Sequence, residues 1–157
     1  MLRRGGPIID KSQFQLELSL GYVLNRAAGR MKRALDRRLA KHGLTTSQWS
    51  IMASIARQEG LTQMELGRRS LFDRPTTTGI LTRLEERGII ERRQSPTDSR
   101  ARAIFFTAAG KSLFAKLPSL AASVNTIATR GLSMAEHQQL LMLLDKVAQS
   151  FEEAERK

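Results

Sequence analysis

The chain has 157 residues, of which 41% are hydrophobic and only 5% aromatic, and it contains no cysteine. This length suits one domain whose core needs no disulfide, and the low aromatic content favours a helical protein over a sandwich or a barrel. Lys and Arg outnumber Asp and Glu by 26 to 15, a net charge of +11 that favours a polyanionic partner, above all nucleic acid.

Several classes of protein are disfavoured by what the sequence lacks. Without cysteine there are no disulfides, thiolate metal sites or cysteine nucleophiles, and two distant histidines do not suggest a zinc site. We find no phosphate loop, dinucleotide fingerprint or nucleophile–base pair, so an enzyme is the weakest interpretation and no cofactor is expected. No apolar run approaches the roughly 20 residues of a membrane span, and no signal-peptide pattern is present. We therefore expect a cytoplasmic protein without a membrane partner.

The first part of the chain predicts three helices. Apolar residues at three-to-four spacing predict a long amphipathic helix over about 14–41. Thr45 with Gln48, and Thr62 with Glu65, then have the spacing of capping boxes. These two signals start a second helix and a short third helix.

The predicted fourth helix, over about 74–88, begins unusually. Pro75 suits its first turn, but the three consecutive threonines Thr76, Thr77 and Thr78 are middling helix formers. One cap residue suffices at a helix start, so three hydroxyls favour contacts outside the protein over the alternative that they only cap the helix.

After the fourth helix, the spacing of apolar residues changes from that of helices to that of strands. Residues 89–93 and 102–106 are β-prone and flank a polar turn, which predicts a hairpin with a basic tip. Asp98 lies in that turn, where we expect it to pair with Arg100 or Arg102.

The last part of the chain is again helical. Thr107 is expected to cap a fifth helix reaching about Arg130, in which Pro118 should either bend the helix or split it. Ser133 and Glu136 form a third capping box at the start of a final helix.

Two short helices in tandem followed by a basic hairpin predict a winged helix-turn-helix in a mainly α protein with a small β-hairpin wing. In that arrangement the second helix of the pair enters the major groove of double-stranded DNA. Hydroxyls and arginines suit base edges and phosphates, and an arginine at a wing tip suits the minor groove. The predicted DNA contacts are Gln63, Arg74, Thr76, Thr77, Thr78, Thr82, Arg83, Arg93, Ser99, Arg100 and Arg102.

Four stretches together resemble the MarR family of bacterial winged-helix regulators. They are GLTTSQW (43–49), LTQMELGRRS (61–70), RPTTTGILTRLEERGII (74–90) and SPTDSRARAIFFTAAG (95–110). The last matches the family's Asp-x-Arg wing signature at Asp98 and Arg100, followed by Phe106-Thr107 where the family has Leu-Thr. Gly79 stands where many members carry a longer side chain.

The resemblance implies a homodimer in which the first, fifth and sixth helices of two subunits interleave. It divides the chain into an N-terminal dimerisation helix (1–42), a DNA-binding region (43–107) and C-terminal dimerisation helices (108–157) of one intertwined domain. It also implies a repressor on a pseudo-palindromic operator, released by a small aromatic, phenolic or carboxylate effector. The alternative is an architectural DNA-binding protein without a ligand, which would show little base preference and a steep salt dependence on any duplex.

An effector pocket can be suggested from two groups of residues. Tyr22, Arg26 and Arg30 lie on successive turns of the first helix, while Trp49 and Met52 lie near the start of the second. An aromatic wall with an arginine would suit an aromatic carboxylate. The alternative is that Trp49 and Met52 belong to the core, and that the two arginines belong to a solvated or phosphate-facing surface.

We predict that Arg100→Ala weakens binding to every duplex and lowers its salt dependence, because a wing arginine contacts the DNA backbone and minor groove irrespective of sequence. Thr77→Ala and Arg83→Ala should instead change base preference. Binding titrations over a range of salt concentrations measure both effects. An Arg100→Ala protein with unchanged affinity and salt slope would contradict the wing assignment.

Overall fold

The computed structural model describes residues 15–94 and 102–155. Within these ranges the elements run in the order α1, α2, β1, α3, α4, β2, β3, α5, α6, α7. Their bounds are α1 Leu20–Leu39, α2 Thr46–Arg57, β1 Leu61–Thr62, α3 Gln63–Ser70, α4 Arg74–Glu86, β2 Ile90–Gln94, β3 Arg102–Phe106, α5 Ala108–Phe114, α6 Pro118–Ala128 and α7 Met134–Glu155. Short 3₁₀ turns at Leu16–Leu18 and Ala40–His42 flank α1. The predicted mainly helical fold with a small sheet is confirmed.

The sheet has three antiparallel strands in the order β1-β3-β2. β2 and β3 form the predicted hairpin, with Ile90 opposite Phe106 and Gln94 opposite Arg102. The two-residue β1 pairs with β3 on its other edge and was not expected from the sequence. This third strand joins the start of α3 to the base of the wing.

The first helix is shorter than the sequence predicts, and the fifth helix is split, which is one of the two outcomes predicted for Pro118. α1 begins at Leu20 rather than near residue 14, because Ser19 is its N-cap and accepts a hydrogen bond from the backbone of Tyr22. The fifth helix is split: α5 ends at Phe114 and α6 starts at Pro118. Proline has no N–H to continue the helical ladder, and the turn between the two helices places Leu117 in the core.

The core lies where α1, α2, α3 and α4 meet the sheet. Fully buried side chains from these elements are Leu39, Ile51, Met52, Ile55, Leu66, Leu81, Leu84, Ile90 and Ile104. By contrast, no residue of α7 between 134 and 154 is buried. The last helix therefore contributes little to the core of a single chain.

α5 begins in close contact with the end of α4. Thr107 caps it as predicted, since its hydroxyl accepts from Gly110 N at 3.0 Å and donates to Gly88 O at 2.6 Å. Gly110 is packed so tightly there that a Cβ atom would lie 1.9 Å from the carbonyl oxygen of Ile89. Only glycine fits at this position without a backbone shift.

We expect Gly110→Ala to destabilise the protein by about 3 kcal/mol, because the added methyl group must displace backbone atoms in a packed region. Gly79→Ala is the matched control: its Cβ would meet nothing within 4 Å in α4, so it should stabilise the chain by roughly 0.5–1 kcal/mol. Urea unfolding at one fixed protein concentration measures both. Equal effects of the two substitutions would contradict this account of the α4–α5 contact.

Candidate nucleic-acid interface

α4 starts at an aspartate cap. Asp73 Oδ1 accepts a hydrogen bond from the backbone N of Thr76 at 2.8 Å, and Pro75 occupies the first turn. Hydrogen bonds from the Thr76 side chain and backbone lower the pKa of Asp73 below its usual value. The threonines therefore do not cap this helix, because an ionised aspartate does so.

The three consecutive threonines have different surroundings. Thr76 and Thr78 are exposed, but Thr77 is only 1% exposed and donates its hydroxyl proton to the carbonyl oxygen of Asp73 at 2.8 Å. The prediction that Thr77 contacts DNA is therefore wrong, because its side chain is enclosed by the protein. Its role is to hold α4 in place.

α3 and α4 touch most closely at Gly67 and Thr77. A Cβ on Gly67 would lie 2.9 Å from Thr77 Oγ1 and 3.2 Å from the carbonyl oxygen of Phe72. Both distances are shorter than ordinary van der Waals contact. The absence of a side chain at Gly67 thus allows the close approach that sets the angle between the two helices.

The outer face of α4 carries five of the ten remaining predicted contacts. Arg74, Thr76, Thr78, Thr82 and Arg83 are all exposed. Gly79 lies among them with open space in front of it. The outer face of α4 is therefore polar and cationic. Because no side chain projects from Gly79, the edge of a DNA groove could approach the helix closely there.

An open cleft of about 1020 Å³ separates the start of α3, the α3–α4 turn and β3. Gln63 and Arg68 of α3, Arg74 of α4 and Arg102 of β3 line it, and none of its lining residues is acidic. The fold thus brings the base of the wing next to the start of α4, as expected for a surface that receives a phosphate backbone.

Two arginines of β2, at the base of the wing, lie in ion pairs. Arg93 pairs with Glu91 and lies with its guanidinium 5.0 Å from the centroid of the Phe105 ring. Arg92 Nη1 lies 3.4 Å from Glu85 Oε2 of α4. Arg93 is exposed but would have to exchange its partner to meet DNA. The predicted contacts Ser99 and Arg100, and the pairing of Asp98, lie outside the described residues.

Arg87, just beyond α4, is a positioning residue that the sequence prediction missed. Its guanidinium donates to the carbonyl oxygens of Gly43, at 2.5 Å, and His42, at 3.0 Å. Gly43 adopts the left-handed conformation, with φ 64°. Arg87 thus ties the end of α4 to the end of α1, and no local motif could have indicated a partner so distant in sequence.

The residues predicted to form an effector pocket fall into two separate groups. On α1, the Arg26 guanidinium lies 5.6 Å from the centroid of the exposed Tyr22 ring, and Arg30 is exposed nearby. Trp49 stacks on Phe114 at 5.2 Å. No hydrogen bond, ion pair or ring contact within the described ranges joins the α1 group to Trp49.

Met52 does not line a pocket in this structure. It is 0% exposed and belongs to the central cluster with Ile51 and Ile55. The alternative interpretation, that it is a core residue, is the correct one. Met52 is buried because it lies with Ile51 and Ile55 on the side of α2 that faces the core.

The described part of the chain contains neither a candidate metal site nor a helix that could span a membrane. No group of three or more His, Cys, Asp or Glu side chains there could hold a metal ion. Nor is any helix in these ranges both long enough and apolar enough to cross a membrane.

A helix pair, a basic outer face on its second helix and an adjoining β-hairpin define a winged helix-turn-helix DNA-binding protein. The MarR family model matches residues 42–101. HosA, a transcriptional regulator of Escherichia coli, is 33% identical over 64% of this chain and 74% of its own length. The chain belongs to the MarR family.

Two further comparisons agree with this assignment. The regulator TtmR of Methylorubrum extorquens is 32% identical over 80% of this chain, and the chain spans 64% of TtmR. A mutant of E. coli MarR solved with operator DNA is 26% identical, with a TM-score of 0.77 over 83% of this chain and 94% of that one. The protein is a DNA-binding transcriptional regulator, and like its homologues it is not an enzyme.

The burial of Thr77 changes the prediction made for its variants. We now expect Thr77→Ala to lower stability by about 1–3 kcal/mol, through the lost hydroxyl bond and the lost methyl group, and to leave base preference unchanged. Thr77→Ser keeps the hydroxyl and should lose less. Unfolding experiments combined with binding to a panel of single-base operator variants test this. A base preference altered in Thr77→Ala, with unaltered stability, would restore the original assignment.

Proposed function

We propose that this regulator is a homodimeric repressor that binds a pseudo-palindromic operator and leaves it when a small aromatic, phenolic or carboxylate effector binds. The observation that carries the dimer is the apolar face of α7. Without a partner, that face would be left in water.

The apolar face of α7 is continuous, and no segment within residues 15–94 and 102–155 buries it. Leu140, Leu143 and Phe151 are 42%, 50% and 68% exposed, and at helical spacing they share one side with Leu144 and Val147. Large exposed apolar patches mark interaction sites. Exposed apolar residues on α1 and α6, including Leu20, Val23 and Ile127, extend the same kind of surface. We assign 1–42 and 108–157 to dimerisation on these grounds, and 43–107 to DNA binding.

A twofold dimer supports the operator proposal. Each subunit carries one α4, so a symmetric pair presents two of them to successive major grooves, about 34 Å apart. The contacts assigned to DNA are Gln63, Arg74, Thr76, Thr78, Thr82, Arg83, Arg93, Ser99, Arg100 and Arg102. This spacing requires two inverted half-sites about one helical turn apart.

Effector binding is assigned to the neighbourhood of Tyr22, Arg26 and Arg30 on α1. The partly buried Trp49 of α2, which stacks on Phe114, is kept as a separate aromatic candidate. The Tyr22–Arg26 stack offers both an aromatic face and a cation to an aromatic acid. A ligand held beside the dimer helices can release DNA if it binds better to a dimer whose α4 helices are wrongly spaced. Arg87 supplies a direct link from the end of α1 to α4.

We expect Leu143→Asp to give monomers and to reduce operator affinity at least tenfold, because the buried charge would oppose the packing of α7. Gln138→Asp is the matched control: Gln138 is exposed on the polar side of the same helix, with Asp145 and Gln149. Sedimentation equilibrium reports the oligomeric state and fluorescence anisotropy the affinity. A Leu143→Asp protein that remains dimeric would contradict the assignment of the apolar face of α7 to dimerisation.

Sequence-specific binding is tested by comparing the affinity of the protein for two duplexes at one salt concentration. One is DNA from just upstream of its gene, and the other is a scrambled duplex of equal composition. We expect at least about a thousandfold preference for the upstream duplex, the lower end of the range for specific binding. A panel of aromatic acids and phenols is then added, with Arg26→Gln as the comparison. Equal binding to both duplexes, with no compound releasing either, would favour the architectural interpretation instead.

A further inference from the structure

Gln63 of α3 and Thr78 of α4 form a hydrogen-bonded pair on the surface assigned to DNA. Thr78 Oγ1 donates to the carbonyl oxygen of Arg74 at 2.8 Å, and Gln63 Nε2 lies 2.7 Å from the same hydroxyl oxygen. A hydroxyl has a single proton, and here the backbone carbonyl takes it. The hydroxyl can therefore only accept from Gln63, which requires the amide nitrogen to face Thr78.

This bond leaves one acceptor and one donor of the amide available. Within the described ranges Gln63 Oε1 has no hydrogen-bond partner, and Nε2 keeps a second proton. A side-by-side acceptor and donor match N6–H and N7 of adenine in the major groove. A phosphate offers only acceptors, so it would use the N–H and leave Oε1 facing anionic oxygens.

The position of the Gln63–Thr78 pair is a second reason to favour contact with a base over contact with the DNA backbone. Gln63 lines the same cleft as Arg68, Arg74 and Arg102, three cations that already suit phosphates. The amide is also held before DNA arrives, so less side-chain freedom is lost on binding. A neutral, oriented amide among cations is better suited to reading a base than to adding another phosphate contact.

We propose that Gln63 reads an adenine in each half-site and that Thr78 positions its amide. This inference rests on the proposed sequence-specific DNA binding, and it adds to the contact assigned to Gln63 a particular base and a hydrogen-bond pattern. Thr78 acts through Gln63, so the two residues should govern the same operator position.

The test begins with selection of binding sites from a random duplex library by the full-length protein. Wild type should enrich a motif with adenine at one position of each half-site. Gln63→Met, which keeps length but no polar group, should lose roughly tenfold in preference at that position alone. Thr78→Val should lose preference at the same position, while Thr78→Ser should retain it. Gln138→Met is the control, because it makes the same exchange at an exposed glutamine of α7, outside the residues assigned to DNA.

A modified base then tests the contact directly. Replacing the selected adenine by 7-deazaadenine removes N7, and it should weaken wild-type binding roughly tenfold but leave Gln63→Met unaffected. The double variant of Gln63→Met and Thr78→Val should lose no more than Gln63→Met alone, as expected for one shared contact.

Two results would overturn the proposal while leaving the regulator standing. One is an unchanged motif in Gln63→Met. The other is a uniform loss of affinity without any change in base preference, which identifies a phosphate contact. If wild type itself enriches no motif, the proposed specific DNA binding fails and the adenine contact fails with it, an outcome that is distinct from both.

Discussion

The contact between α3 and α4 at Gly67 and Thr77 is the constraint on which the DNA-binding surface depends. Thr77 places its hydroxyl against the backbone at the start of α4, and Gly67 has no side chain to keep the helices apart. This contact fixes the direction of α4 relative to α3. It also determines that Thr76 and Thr78 face outward, so one buried threonine sets the orientation of two exposed ones.

The surroundings of that contact link recognition to the rest of the chain. Arg87 joins the far end of α4 to the end of α1, and β1 joins the start of α3 to the wing strand β3. The far end of α4 is thus held by a segment distant in sequence, and α3, which packs against the start of α4, is held through β1 to the sheet. Two hydrogen bonds from Arg87 thus connect the end of α4 directly to the turn that follows α1.

Local signals in the sequence were sufficient for most of the fold. Capping boxes at Thr45 and Thr62 and the hairpin strands are where the pattern predicts them. The burial of Thr77 was also foreseeable, because it lies three residues before Ile80 and four before Leu81 on the inward stripe. The partners of β1 and Arg87 could not be foreseen from the sequence, since both depend on contacts between residues 40 or more positions apart. The two groups proposed for the effector site lie on separate helices, so their relation depends on tertiary packing that helical spacing alone does not report.

Hydroxyl-radical footprinting of the full-length protein on a selected operator tests most directly that paired α4 helices enter successive major grooves. We expect two protected tracts on one face of the duplex, centred about one helical turn apart and related by the operator's dyad. They should be flanked by minor-groove protection from the wings. Continuous protection without a dyad, or a single isolated tract, would contradict the symmetric docking on which the account rests.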